Sequence, residues 1–328
     1  DKTKVISRIW GYHGVTFAAM CATGIASYWP MFEPRIPGFS HIPAPYPYRY
    51  DAPAGSQSQG IAAADELERQ ILDEGPDTVA MFLAEPVQGA GGVIVPPEGF
   101  YKRVQEACHE RGMLLILDEA QTGLGKTGKM FGFQHEEGVT PDIIALSKHL
   151  GGGLPISAVC TSTKIAQRAV KNGYFATRSH ATDPLLCAAG EESLNIIVDE
   201  NLADRAARIE KRIKGAFRKM AKEYELIGDI RGRGVLLGIE LVTDREKKTP
   251  ANAALKRIAN YALKKGLIFQ TRGTRGLQNV IRLVPPMTTT NEEVDRALSI
   301  LHDAIRDVDK GKAKKKRIIK LSAARKSG

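Results

Sequence analysis

Short apolar runs recur along the chain, separated by amphipathic stretches and by Gly or Pro. Val5-Ile6-Ser7-Arg8-Ile9-Trp10, Val79–Leu83, Met113–Leu117, Asp142–Leu146 and Ile156–Thr161 each have the length and β-branched content of a buried strand. Helical spacing fills the gaps, over residues 61–74 and over Pro97–Arg111, which Gly112 ends. Strands alternating with helices predict an α/β domain with a mainly parallel sheet flanked by helices. Pro184–Glu200 and Leu202–Tyr224 read as long helices. From Ile227 the texture changes. Arg231-Gly232-Arg233-Gly234 leads into a strand at Val235–Leu241, and helices follow at Ala251–Lys265 and Glu292–Asp307. This predicts a smaller C-terminal α+β domain. The expected division is 1–205 for the large domain, 206–308 for the small one and 309–328 for a tail. Residues 30–60, rich in Pro, Tyr, Gly and Ser, read as a long irregular surface or active-site segment.

Composition changes this picture little. With 328 residues, 43% of them hydrophobic and 26% charged, the chain can bury a large core, and wholesale disorder, collagen and coiled coil are excluded. No apolar run is long enough to span a membrane. The net charge of +10 is concentrated at the end, because residues 309–328 hold nine Lys or Arg against one Asp. A solvated, disordered tail is the expectation. An anion or membrane-surface contact is the alternative, and nucleic acid is not expected, since no aromatic residue is available there for base stacking. The four Cys form no CxxC pair, which points to reduced thiols and a cytoplasmic protein. A core strand only a few residues from Asp1 suggests a chain cut from something longer.

Ligands of open α/β sheets sit beyond the carboxyl ends of the strands. Glu85, Asp118, Glu119, Gln121, Ser147 and Lys148 all fall at such ends. Lys148 precedes Gly151-Gly152-Gly153 and Pro155, and so lies on a tight loop. A lysine amine forms a Schiff base with an aldehyde such as pyridoxal phosphate, and a carboxylate opposite the pyridine nitrogen keeps that nitrogen protonated. By spacing alone, either residue is as readily a surface group or half of a salt bridge.

The local sequence adds to this. LILDEAQTGLGKTGKMF (115–131) and DIIALSKHLGGGLPISAV (142–159) closely resemble the class-III pyridoxal-phosphate aminotransferases of the aspartate-aminotransferase-like fold type I. Tyr12-His13-Gly14, AEPVQG (84–89), GDIRGRGVLLGIE (228–240) and IRLVPP (281–286) are collinear with that family. HATDPLLCAAG (180–190) and IPAPYPYRY (42–50) are most similar to 2,2-dialkylglycine decarboxylase, whereas Val87-Gln88-Gly89-Ala90 is closer to ω-aminotransferases.

The resemblance implies a role for each matched position. Lys148 would be the Schiff-base lysine and proton shuttle, Asp118 the partner of the pyridine nitrogen, Gln121 the hydrogen-bond partner of the phenolic oxygen, and Tyr12 the ring that stacks on the cofactor. His13 could be a site residue or a structural histidine. Ser179 falls where a Thr usually binds the cofactor phosphate across a homodimer interface. Arg282 would clamp a substrate carboxylate. Asp183 matches a carboxylate that helps bind an alkali cation in the decarboxylase, and Asp before Pro is equally a helix cap. Ala90 replaces a Glu that covers the clamp Arg in ornithine-type relatives, which implies small α-amino or α-keto acids in at least one half-reaction. Lys126 replaces the usual Arg of its glycine-rich stretch. The implied activity is transfer of an amino group from an amino donor to a small α-keto acid. Decarboxylation-dependent transamination and an inactive binding module are the alternatives. Relatives carry about a hundred further residues before the Tyr-His-Gly strand, including a loop that cups the phosphate.

Overall fold

The computed structural model describes residues 2–176, 178–272 and 279–324. The chain starts with β1 (Lys4–Arg8), α1 (Phe17–Ala22), β2 (Phe39–Ile42), α2 (Gln59–Glu74) and β3 (Val79–Ala84). It continues through α3 (Phe100–Glu110), β4 (Leu114–Asp118), β5 (Ile143–Leu146) and β6 (Ala158–Thr161). These strands make one sheet in the order β2-β1-β3-β4-β5-β6. All its pairings are parallel except β5 with β6. The mainly parallel α/β sheet read from the sequence is therefore present.

The sheet is held by apolar faces. Ile6, Phe82, Leu115 and Leu117 pack with Leu67 and Ile71 of α2 and Val104 and Ala107 of α3, all of them at 0% exposure. Burying each of the larger side chains is worth about 1.5–3 kcal/mol. The hydroxyl of Ser58 accepts from the Ile61 amide to start α2, and Gly75, at φ 87, ends it. An L-residue is strained at that φ and glycine is not.

After α4 (Thr163–Lys171) and α5 (Pro184–Asp199), the long α6 (Leu202–Glu223) leads to a second sheet. This sheet comprises β7 (Ile227–Arg233), β8 (Leu236–Asp244) and β9 (Thr249–Pro250), then, after α7 (Asn252–Lys264), β10 (Gln270–Arg272) and β11 (Val280–Leu283). Its order is β10-β11-β8-β7, with β9 on β8, and every pairing is antiparallel. The final helix, α8, runs from Asn291 to Ala324. Ile209, Ile213 and Phe217 on one face of α6 share a core with Ile239 and Leu241 of β8, Leu301 and Ile305 of α8, and Leu146 and Leu150 beside Lys148. One apolar cluster therefore joins the second sheet to the end of β5. The expected division at 205/206 falls inside α6, which runs unbroken.

A buried polar cluster makes a second junction. Glu240 on β8 accepts from Arg231 Nη1 at 2.9 Å, from Arg49 Nε at 2.9 Å and from the Tyr46 hydroxyl. Arg231 also donates to the Gly92 carbonyl at 2.7 Å. A carboxylate between two guanidiniums is compensated in the interior, and removing one partner would leave a buried charge.

Several elements depart from the expectation. Residues 30–60 contain β2, a parallel partner of β1 too short to show an alternating pattern. The glycine-rich segment before Val235 is itself a strand, β7. Gly228 suits it because an added Cβ would lie 2.6 Å from the Tyr48 hydroxyl and 2.8 Å from Val242. The tail expected to be disordered continues α8 as far as Ala324. Its Lys, Arg and Ala residues are strong helix formers, and that preference outweighs Gly311.

Candidate active site

The carboxyl ends of β1, β3, β4 and β5 converge on one region. Lys148 follows β5 by two residues and begins a single 3-10 turn, Lys148–Gly151. Its backbone is left-handed, at φ 50, and Gly152, at φ 57, closes the turn. A non-glycine residue in that conformation costs about 1 kcal/mol or more, which the packed turn must offset. Lys148 lines three cavities, of about 650, 620 and 440 Å³.

Asp118 ends β4. Its Oδ2 lies 2.9 Å from His13 Nδ1, and its Oδ1 accepts from the Ala120 amide at 3.1 Å. Burial raises the Asp118 pKa, but the hydrogen bond and charge of His13, the Ala120 amide and the charge of Lys148 outweigh it and leave the carboxyl below its usual value. His13 is fixed in turn by its own amide, which donates to Thr23 Oγ1 at 2.9 Å. His13 is thus buried against Asp118, a contact compatible with both readings of this histidine.

Glu85, at the end of β3, brackets two loops. Its Oε1 accepts from the Tyr12 amide at 3.0 Å and its Oε2 from the Gly89 amide at 2.9 Å. Behind it, Arg8 and the Tyr101 hydroxyl both donate to its backbone carbonyl. Burial pushes the Glu85 carboxyl above the usual range. Glu119 is equally buried and is used structurally, accepting from Thr122 and from the Gly132 and Phe133 amides.

Tyr12, Ala90, Gln121, Lys148 and Arg282 line the 440 Å³ cavity together. Gly89 lets Gln121 approach, since a Cβ there would lie 1.7 Å from Gln121 Oε1 and 3.4 Å from Arg282 Nη2. Arg282, 6% exposed on β11, faces Gln270 across the antiparallel pair and donates to its side-chain oxygen. Lys126 lies just behind, and its Nζ donates to the Pro285 carbonyl at 3.0 Å. Burial and the charge of Arg282 push its amine down to about 8. His149 is lowered to about 4 by burial and by the charges of Lys126 and Lys148.

Two expected residues lie elsewhere. Ser179 is exposed and does not line the cavities that Lys148 lines. Asp183 precedes Pro184 at the start of α5, yet its side chain makes no cap hydrogen bond. It pairs instead with exposed His180, whose Nδ1 lies 2.7 Å away. Among the described residues, no group of three or more His, Cys, Asp or Glu could hold a metal ion. Sequence reading gave no role to Gln270, Arg8 or Tyr28, because strand register and the folding of residues 25–32 bring them to the site. Glu85 carried a signal, being a carboxylate at a strand end.

The residues present fit pyridoxal phosphate. The site has an amine on the cavity walls, a carboxylate kept ionised beside it, an aromatic ring and a neutral amide. That donor set suits a flat pyridinium with a phenolic oxygen.

Comparison with known proteins agrees. Residues 1–305 match the class-III aminotransferase family. The chain is 36% identical to leucine/methionine racemase of Thermococcus litoralis over 312 residues, covering 94% of this chain and 68% of that protein. It is also 36% identical to acetylornithine aminotransferase of Methanopyrus kandleri, covering 93% of this chain and 68% of that protein. The ω-transaminase of Pseudomonas jessenii, solved in complex with PMP, superposes with a TM-score of 0.85 at 34% identity, covering 94% of this chain and 68% of that one. A Bacillus anthracis aminotransferase gives a TM-score of 0.86 at 35% identity, covering 93% and 70%. The chain thus spans about two thirds of the length of these relatives. With the site geometry and these matches together, the chain belongs to the class-III aminotransferases, pyridoxal-phosphate-dependent enzymes of fold type I.

Proposed function

We propose that the protein is a transaminase that moves an amino group from an amino donor to an α-keto acid, with Lys148 as its catalytic residue. The observation that carries this reading is the meeting of Lys148, Gln121, Tyr12 and Arg282 on one 440 Å³ cavity, with Asp118 held ionised beside the lysine. When bound, pyridoxal phosphate supplies an aldehyde for an amine and a ring that accepts the electron pair of a broken α-bond.

The residues of the chain do the rest. With the cofactor in place, Lys148 would be the residue that holds it, and its amine, once released, would carry the substrate α-proton. Asp118, set by His13, would keep the pyridine nitrogen protonated, because an ionised carboxylate favours the charged ring. Gln121 would hydrogen-bond the ring oxygen, and Tyr12 would pack against the ring. Arg282 holds the substrate carboxylate and turns the α-carbon toward Lys148. Water would release the donor as a keto acid, and the amino group, kept at the cofactor, would pass to a second keto acid with return of that water.

The reading includes a homodimer, in which exposed Ser179 would reach the cofactor phosphate of the second subunit, and a cytoplasmic protein with reduced thiols. No helix among the described residues is long and apolar enough to cross a membrane. Borohydride reduction after incubation with pyridoxal phosphate, followed by peptide mapping, tests the proposal. A phosphopyridoxyl group confined to Lys148 is the expected result. Label spread over surface lysines, or none, would overturn it. Chiral chromatography of the amino acid pool then separates transamination from racemisation, an activity named for one relative. Trapping of released carbon dioxide separates both from the decarboxylase chemistry.

A further inference from the structure

We infer that a second cavity, of about 400 Å³, binds a small zwitterion of the amino-acid class, with its carboxylate on Arg233 and its ammonium toward Glu98 and Glu137. The inference does not depend on the transaminase reading. Three parts of the chain wall this cavity. They are the start of α3 with the residues before it, the turn Gly132–His135 with the two residues after it, and Arg233 at the end of β7. Its volume is in the usual range for small-molecule sites. It shares no lining residue with the cavities that Lys148 lines.

Arg233 is the reason to expect a ligand. It is half-buried, and among the described residues it makes no ion pair. Its hydrogen bond there is a long one, from Nη1 to His135 Nδ1 at 3.4 Å. His135 offers no charge in return. Its Nε2 donates to the Thr127 carbonyl at 3.0 Å, which leaves Nδ1 as the acceptor for Arg233. Burial and the charge of Arg233 lower His135 to about 4, so the ring is neutral at neutral pH. A guanidinium has five N–H donors in a flat fork, and most of this fork is left for a carboxylate.

The three carboxylates of the cavity are not equivalent. Glu136 is already committed, since it accepts from the Tyr101 and Lys102 amides at 3.2 and 2.8 Å. It thereby takes up the first turn of α3. Glu98 and Glu137 are exposed, and among the described residues their side chains make no hydrogen bond or ion pair. The cavity therefore offers one half-buried cation and two uncommitted acids, beside apolar surface from Val87, Val95, Tyr101 and Phe133.

That pattern of charge selects the ligand. A simple carboxylate would pair with Arg233 but bring its charge among acids. A simple amine would meet the acids but share the cavity with a guanidinium. A molecule with both charges has a partner for each, and its carbon spacer can lie on the apolar walls. Losing one charged hydrogen-bonded contact typically costs about tenfold or more in affinity.

Calorimetric titration of the full chain tests the inference. The zwitterionic probes are N,N-dimethylglycine and 4-(dimethylamino)butanoate, whose tertiary ammonium donates a hydrogen bond but cannot condense with an aldehyde. Butanoate and N,N-dimethylbutylamine carry one charge each. At least one zwitterion should bind about tenfold or more tightly than either singly charged probe, and the better of the two gives the spacing between the charges. Arg233→Gln should weaken that zwitterion about tenfold or more. Glu137 is exposed, so Glu137→Lys should fold, and it should weaken the zwitterion while strengthening butanoate. No zwitterion binding at millimolar concentration, or equal or tighter binding of butanoate or of the amine, overturns the inference. So does unchanged affinity in Arg233→Gln. If Arg233→Gln proves unfolded by circular dichroism, Glu137→Lys decides, and an unchanged ratio of zwitterion to butanoate affinity in it overturns the inference.

Discussion

His13 Nδ1 and Asp118 Oδ2 are 2.9 Å apart, so a histidine at the end of β1 and a carboxylate at the end of β4 are coupled across β3. The pair keeps Asp118 ionised against its burial. A carboxyl lowered on folding stabilises the fold above its unfolded value, and that contribution is lost as pH falls through the folded value. Removing His13 should raise the Asp118 pKa and bring the acid limb to higher pH. For His13→Ala, cofactor affinity at neutral pH should fall by about 10- to 100-fold, the range for losing a charge-assisted hydrogen bond. Titration of cofactor absorbance from pH 5 to 8 measures both effects. An acid limb that stays where it was would count against the pairing.

Gly89 makes a second prediction. In Gly89→Ala the new methyl occupies the position of the Gln121 amide oxygen. Gln121 is a flexible side chain and can swing away, so the fold should lose little, about 1 kcal/mol or less. Activity should fall by about as much as in Gln121→Ala. The double variant should be no worse than either single one, because both remove the same contact. Full additivity of the two losses in kcat/KM would show that the glycine acts elsewhere.

Lys148, the proposed catalytic residue, also sits in a strained backbone conformation. At φ 50, glycine is easier than any L-residue. Lys148→Gly should therefore be more stable than Lys148→Ala by about 1 kcal/mol, while both lose at least 10²–10⁴ in turnover. Urea unfolding of the two variants, read beside their activity, separates strain from catalysis. If the alanine variant proves the more stable, the turn holds no strain.

Much of this site could be read before folding because its chemistry lies immediately after strands, and strands announce themselves by apolar runs. Asp118 follows Leu117 and Lys148 follows Leu146, so locating the strand locates the residue. Gln270 and Arg8 carry no such mark. Gln270 meets Arg282 only through the β10–β11 register, and Arg8 turns inward from a strand whose partners lie tens of residues away. β7 was hidden by its glycines, which sequence reading takes as turns. In the fold they are spaces for Tyr48 and Leu237. The tail's charge points to a solvated end, whereas its Lys, Arg and Ala composition also suits the helix that runs to Ala324.

Lys126 supplies the last prediction. Lys126 is 5% exposed, and its amine donates to the Pro285 carbonyl and is pushed down to about 8 by burial and by Arg282. An unfolded lysine titrates near 10.4. Below pH 8 both states hold the proton, and the folded state bears the whole cost of a buried charge, roughly 3 kcal/mol. Between about 8 and about 10.4 the unfolded chain binds the proton and the folded chain does not, so this residue makes stability rise with pH across that window. Lys126→Met removes the cost and also a hydrogen bond worth about 1 kcal/mol. It should gain about 1–2 kcal/mol at pH 7 and flatten the rise between pH 8 and 10. Lys126→Arg stays charged throughout, so it should remove the rise without the gain. Urea unfolding at pH 7, 8.5 and 10 distinguishes the three proteins. If Lys126→Met keeps the full rise, some other buried amine must release its proton in that range. The charge beside Arg282 would then persist above pH 8.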